Sequence, residues 1–213
     1  MEFIKGNLKK ILFNGDNGYL VGLFKVKEAD DDNLDVVNQT ITFTGYFYEL
    51  NEMETVGIAE AEIWLMTNKK DILSESFLKT LHKKMFGEVW LWAGSFRTTE
   101  RNIGVAPYNI QPELRKLFDD IKYWIENKTY PEKEIAIRFH HRLVQIHPFP
   151  NGNGRISRLM ADLLMKQFGL SALNWGSGNL TEISELRKEY ISALRKADNG
   201  DYSLLLKFID NNN

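Results

Sequence analysis

The sequence predicts a mainly α protein, a helical domain with a small β-rich element at its N-terminal end. Three observations predict it. Apolar residues recur at helical spacing in most segments beyond about residue 49, and several of those segments carry their own start or stop signal. Residues 1–48 instead show strand-like runs around turn signals. The chain has 213 residues and no cysteine, so it can bury a proper core without disulfides or thiolate metal sites.

Composition narrows the function classes. The net charge of −2 supplies no global basic field, and direct nucleic-acid binding is not expected. No N-terminal apolar run resembles a signal peptide and no apolar stretch could span a bilayer, so a membrane is not expected and the cytoplasm is the expected location.

In the first 48 residues, "KKILF", the turn signal "NGDNG" and "YLVGLFKV" predict a hairpin, and "QTITFTGYF" predicts a third strand. The run "EADDDNLD" reads as a solvated acidic loop, since a calcium loop needs regular ligand spacing and a Gly turn. This element faintly resembles the first strands of the N-terminal β-domain of some RecD-like helicases, and a capping role over the helical core is the expectation for it.

Residues 49–213 are expected to form the second, helical domain. Met53, Val56, Ala59, Ile63 and Met66 fall near helical spacing in its first helix. Ser74 or Ser76 can cap the next, with Phe77, Leu78, Leu81 and Met85 inward. "VWLWAGSFRTTERNIGVAPYNI" loses the helical period, and its Gly and Pro predict an exposed loop or hairpin, with Trp90 and Trp92 in the core. Pro112 and Pro131 open two further helices. The cleanest stripe is Ile156, Leu159, Met160, Leu163, Leu164 and Phe168, which Gly169 stops, with Arg155, Arg158 and Asp162 opposite. Two helices follow, on Leu186, Tyr190 and Leu194, and on Leu204, Leu205 and Phe208.

The chemistry concentrates in "IHPFPNGNGRISR", Ile146 to Arg158. His147 ends a helix that Pro148 stops from continuing. Phe149 plugs the core. Asn151, Gly152, Asn153 and Gly154 are small, turn-prone residues whose amides run into a helix N-terminus near Arg155, where unpaired N–H groups and the dipole favour an anion. Arg155 and Arg158, three apart, suit a polyphosphate. His147 can accept a proton near neutral pH. Base plus phosphate cradle points to transfer at phosphorus onto a hydroxyl. A metal hydrolase is the rival enzyme, but His140 and His141 point about 100° apart on a helix and no H-E-x-x-H occurs. His140 is expected to be buried and hydrogen-bonded, and His141 to brace the loop.

"HPFPNGNGRISR" resembles the signature of Fic (filamentation induced by cAMP) proteins, H-x-F-x-[DE]-G-N-G-R-x-x-R, matching seven of its eight fixed positions. "LHKKMFGEVWLWAGSFRT" and "YISALRKADNGDYSLLLKFI" are also similar to that family, and "ELNEMETVGIAEAEIW" with "HPFPNGNGR" to its mobile mystery protein B subgroup. The resemblance implies a Fic-type helical bundle with a β-hairpin flap. It also implies transfer of AMP from ATP to a Tyr, Thr or Ser hydroxyl of a target protein. By that pattern His147 is the base, and Gly152, Asn153 and Gly154 form the anion hole. Arg155 and Arg158 hold the phosphates, and a flap carrying Thr98, Thr99, Ile103, Gly104 and Val105 registers the target. The departure is Asn151, where the family places an acidic ligand for Mg2+. A neutral oxygen there holds the metal weakly, so a degenerate protein that binds nucleotide, or transfers another phosphate-containing group, is the alternative. Thr181 with Glu185, Glu60 and Glu62 lack the full pattern of the family's inhibitory helix. A homodimer or a small inhibitory partner stays open.

Overall fold

The computed structural model of the chain describes residues 4–14, 19–29, 37–46, 48–67, 71–176 and 185–211. The chain divides into two compact units, Met1–Val56 and Gly57–Asn213. The first carries an antiparallel sheet of β1 (Ile4–Asn14), β2 (Tyr19–Ala29) and β3 (Thr40–Tyr46), with β2 central. Asn38, in the left-handed region at φ 68°, closes the β2–β3 connection by donating to Val26 O while Val26 N–H donates to Gln39 O. Of three irregularities in the β1–β2 register, two leave an extra residue on β1, Lys9 and Leu12, and one leaves Lys27 extra on β2. Most of "NGDNG" and of the acidic run lies outside the described residues.

The helices are α1 (Tyr48–Thr67), α2 (Glu75–Phe86), α3 (Ile110–Glu126), α4 (Glu132–Ile146), α5 (Asn153–Gln167), α6 (Glu185–Ala197) and α7 (Ser203–Asn211). Ser74 caps α2 by accepting from Phe77 N–H at 3.3 Å. Helix α4 packs against both α3 and α5, and α6 against α7. Leu78, Leu81, Leu114, Ile121, Ile135, Phe139, Ile156, Met160 and Leu164 fill the space between them, each worth roughly 1.5–3 kcal/mol of burial.

Helix α1 differs from its expected stripe. Ile63 and Met66 are exposed, and the buried positions among its described side chains are Glu54, Gly57 and Ala61. The reason is close approach: a Cβ at Gly57 would lie 2.5 Å from the Met85 carbonyl oxygen, so small residues, not large ones, face α2. Asp162 also leaves its expected polar face. It is half-buried and accepts from Leu173 N–H at 3.0 Å and Trp175 Nε1–H at 3.1 Å, fastening the chain that follows α5. His141 braces a different place from the loop after α4, since its ring bonds Tyr202 OH at 3.0 Å and Asp198 at 2.9 Å, tying α4 to the α6–α7 turn. Trp90 and Trp92 are half-buried and stack on each other at 5.4 Å.

Candidate active site

Between α4 and α5 the chain runs from His147 to Gly152. His147 is the C-cap of α4 at φ 55°, ψ 58°, a conformation that costs a side-chain-bearing residue about 1–3 kcal/mol. Pro148 disfavours the ordinary helical alternative. Phe149 is fully buried and stacks on His82 at 3.7 Å. Gly152, at φ 78°, is the N-cap of α5 and makes no side-chain cap. Its missing Cβ is required, since one would lie 2.6 Å from Phe86 Cε2.

The side chain of Asn153 does not face a ligand. It is buried, accepting from Phe149 N–H at 2.9 Å and donating to Phe149 O at 2.8 Å. It therefore knits the loop shut. Gly154 is different again. A methyl there would meet only Arg158 Nη1, at 3.6 Å, so the space over the first turn of α5 is open. The first-turn amides, which lack intrahelical acceptors, border that space. Arg155 lies over the Phe86 ring at 4.7 Å. Arg158 lies over the ring of Tyr190 of α6 at 5.9 Å, and the Tyr190 hydroxyl meets His140 Nε2 at 2.9 Å. His140 is thus the buried, bonded residue expected, and burial, with Arg158 adding to it, lowers its pKa to about 3.

The His147 ring is half-buried and its Nδ1 is enclosed without a well-formed hydrogen bond, although the Val144 backbone lies close enough to favour the protonated ring. Burial is the larger effect and lowers the pKa, and the positive charges of Arg97 and Arg101 lower it further. A neutral imidazole with Nδ1 enclosed offers Nε2 as its proton acceptor.

Two residues that sequence reasoning passed over hold this loop. Gly94 N–H donates to His82 Nδ1 at 3.0 Å, so Nε2 carries the proton and donates to Asn151 O at 3.1 Å. A histidine on the apolar stripe of α2, among Leu78, Leu81 and Met85, was a legible signal. Arg97 is buried at 3 % exposure and bonds the carbonyls of Ile146, His147, Thr99 and Val105. Nothing local to its sequence announces that.

The flap differs from the hairpin expected. Thr98, Thr99, Ile103 and Gly104 are exposed and Val105 half-buried, in an irregular segment without strand pairing. Its carbonyls bond Arg97, and Val105 N–H donates to Ile146 O at 3.3 Å. Asn151 is exposed, and its Oδ1 accepts from Gly152 N–H at 2.7 Å. The described residues contain no cluster of three His, Cys, Asp or Glu side chains able to hold a metal. One neutral oxygen already engaged by an amide does not fit a protein-held hard cation.

The first turn of α5 thus lies in one loop-and-helix segment with Arg155, Arg158 and the half-buried His147 ring. Residues 72–165 match the family model described as Fic/DOC family. It is 28% identical over 153 residues to the protein adenylyltransferase fic-1 of Caenorhabditis elegans, a match over 68% of this chain and 28% of that one. It is 31% identical over 140 residues to a probable protein adenylyltransferase of Aquifex aeolicus, over 62% of this chain and 39% of that one. The chain thus spans well under half the length of these relatives. Among solved structures, Fic-1 (residues 134–508) from C. elegans superposes with a TM-score of 0.62 at 25% identity, covering 76% of this chain and 48% of that one. BepC of Bartonella tribocorum, solved with bound AMPPNP, shares the fold at a TM-score of 0.58 and 18% identity, over 77% of this chain and 86% of that one.

Proposed function

We propose that residues 49–213 form a protein adenylyltransferase that moves AMP from ATP to a Tyr, Thr or Ser hydroxyl of a protein substrate. The observation that carries this reading is the open first turn of α5 beside a half-buried imidazole whose Nδ1 is enclosed. ATP phosphates sit on the amides of Asn153 and Gly154 and on that of Gly152, which exchanges its Asn151 Oδ1 acceptor for a phosphate oxygen, with Arg155 and Arg158 spreading the charge. The target hydroxyl oxygen attacks the α-phosphorus and its proton passes to His147. The bond from the α-phosphorus to the bridging oxygen of the β-phosphate breaks, and pyrophosphate leaves. A positioned base of this kind supplies about 10²–10⁴-fold. The flap, through Thr98, Thr99, Ile103, Gly104 and Val105, aligns the target segment by main-chain pairing.

Incubation of a cell lysate with ATP labelled at the α-phosphate tests this. Label should reach protein with the wild type and not with His147→Ala, and ATP labelled at the γ-phosphate should give no protein labelling above that of the His147→Ala control. Transfer of γ label above that control, or equal α labelling by the variant, would refute the assignment. Asn151 favours a second reading, a nucleotide-binding regulatory module or a transferase of another phosphate-containing group. ATP that raises the melting temperature while no protein gains mass would select the binding module. Mass gains with other nucleotide donors would select the other transferase. The cytoplasm, as the ATP-containing compartment, completes the proposal.

A further inference from the structure

We propose that Arg97 is a positioning residue that clamps the flap to the base, so that the flap's anchorage and the placement of His147 depend on one guanidinium. The proposal rests on the transferase reading only for its consequence in catalysis, since the clamp itself is a matter of geometry.

The guanidinium spans two segments about fifty residues apart in sequence. On one side Nε donates to His147 O at 2.7 Å and Nη2 reaches Ile146 O at 3.4 Å, the last two residues before the loop. On the other side Nη1 donates to Thr99 O at 3.1 Å and Nη2 to Val105 O. Thr99 and Val105 are the two ends of the exposed excursion, and the fork therefore closes its base. The backbone of Arg97 adds a bond from its N–H to Pro148 O at 2.9 Å. Among the described residues, the hydrogen-bond acceptors of the Arg97 side chain are all backbone carbonyls. Guanidinium suits that task because its donors lie in a fixed plane, whereas an ammonium is a point charge on a flexible stem.

Two further facts point the same way. Gly104, at φ 101°, stands where a methyl would lie 2.7 Å from Arg97 Nη2 and 2.7 Å from His147 Cβ. The flap, one residue before its second end, thus rests directly on the clamp and the base together. The charge of Arg97 also disfavours protonation of the His147 ring, with Arg101 acting in the same sense. Arg97 and Arg101 are the charged groups that bear on that ring, and burial acts alongside them.

Three variants test the clamp without needing any nucleotide. In Arg97→Met the two flap carbonyls and the two helix-end carbonyls lose the guanidinium, and only Ile146 O keeps a further donor, Val105 N–H. Trypsin should cut after the exposed Arg101 at least about tenfold faster, because the opening that permits cleavage is no longer opposed by hydrogen bonds to a charged group. The His147 pKa, followed by NMR of the ring protons, should rise. Arg97→Lys keeps the charge and loses the fork, so its pKa should stay near wild type while cleavage remains fast. Gly104→Ala wedges the clamp with the charge retained, and it should match Arg97→Lys on both readouts.

With an active preparation, Arg97→Met should raise KM for the protein target and lower kcat, a misplacement loss of up to about 10²-fold. Arg97→Lys should recover more of kcat than of KM. A folded Arg97→Met with wild-type cleavage after Arg101 and an unmoved His147 pKa would overturn the clamp. If Arg97→Met does not fold, Gly104→Ala decides, and wild-type cleavage in that variant would overturn it equally. Faster cleavage and a raised pKa in a protein that never labels a target would uphold the clamp and remove the transferase reading instead.

Discussion

Gly152 and Gly154 are two residues apart in one motif, yet the structure requires opposite outcomes when each becomes alanine. At Gly152 the φ of 78° belongs to a conformation that costs an alanine roughly 1 kcal/mol or more. The new Cβ would lie 2.6 Å from Phe86 Cε2 and 2.9 Å from Cζ. Phe86 is 1 % exposed and cannot swing away, so overpacking adds about 1–3 kcal/mol. Together they come to about 2–4 kcal/mol, a fall in melting temperature of about 4–16 °C for a chain of this size. At Gly154 the residue is helical and the added methyl meets only Arg158 Nη1 at 3.6 Å. Alanine there removes backbone freedom from the unfolded chain and stabilises by up to about 1 kcal/mol.

Binding should run the other way for Gly154. Its methyl would stand over the first-turn amides, where the anion is proposed to sit, and bury space a phosphate oxygen needs. Thermal unfolding followed by circular dichroism, with calorimetric titration of ATP on the same samples, separates the two quantities. Gly154→Ala should melt at or above the wild-type temperature and bind ATP at least about tenfold more weakly, a loss of about 1.4 kcal/mol. Unchanged ATP affinity in Gly154→Ala would refute the placement of the phosphates over that turn. A Gly152→Ala protein as stable as wild type would refute the steric argument.

Three further expectations follow from the same geometry. Asn151→Asp puts a charged, hard oxygen where the neutral one stands, so Mg2+-dependent transfer should rise, and equal activity across a Mg2+ titration in both forms would count against that role. The acid limb of the kcat/KM profile should fall below the ordinary histidine range, because burial, Arg97 and Arg101 all lower the His147 pKa; a limb at or above that range would exclude His147 as the base. Burial raises the Asp162 pKa from 3.8 to about 6, so the folded state holds more protons than the unfolded between those values and this group's contribution falls as pH rises through that window. Asp162→Asn keeps an acceptor for Leu173 and Trp175 and should flatten that slope in chemical denaturation, while Asp162→Ala should destabilise at neutral pH through two unpaired donors.

Much of this site was legible because its parts are adjacent in sequence. Pro148 after His147 and the small residues before Arg155 dictate a broken helix and an exposed helix start without any knowledge of the rest of the fold. The α5 stripe was legible for the same reason, since Ile156, Met160 and Leu164 lie on one face by spacing alone. Helix α1 was misread because its apolar count is high on both sides; only the close approach at Met85 selects Gly57 and Ala61 as its inner face. Asp162 and His141 were misplaced because their partners, Trp175 and Asp198, come from segments whose return the local pattern cannot reveal.

What the sequence hid most completely is the support of the loop from behind. His82 and Arg97 lie 69 and 50 residues before the groups they hold, and each works through a backbone carbonyl, which carries no side-chain signature at its own end. Both use ring or guanidinium geometry that aliphatic replacements cannot imitate, His82 by accepting and donating at once and Arg97 by forking to four oxygens. Their carbonyl targets are those of Asn151 and of Ile146 and His147, either side of Phe149. The chain between α4 and α5 is therefore pinned at both ends by residues from the segment 82–97, with Phe149 seated between them. A loop fixed in this way can keep its amides pointed outward before any anion arrives, and preorganisation of that kind is what makes electrostatic stabilisation effective at the moment of transfer.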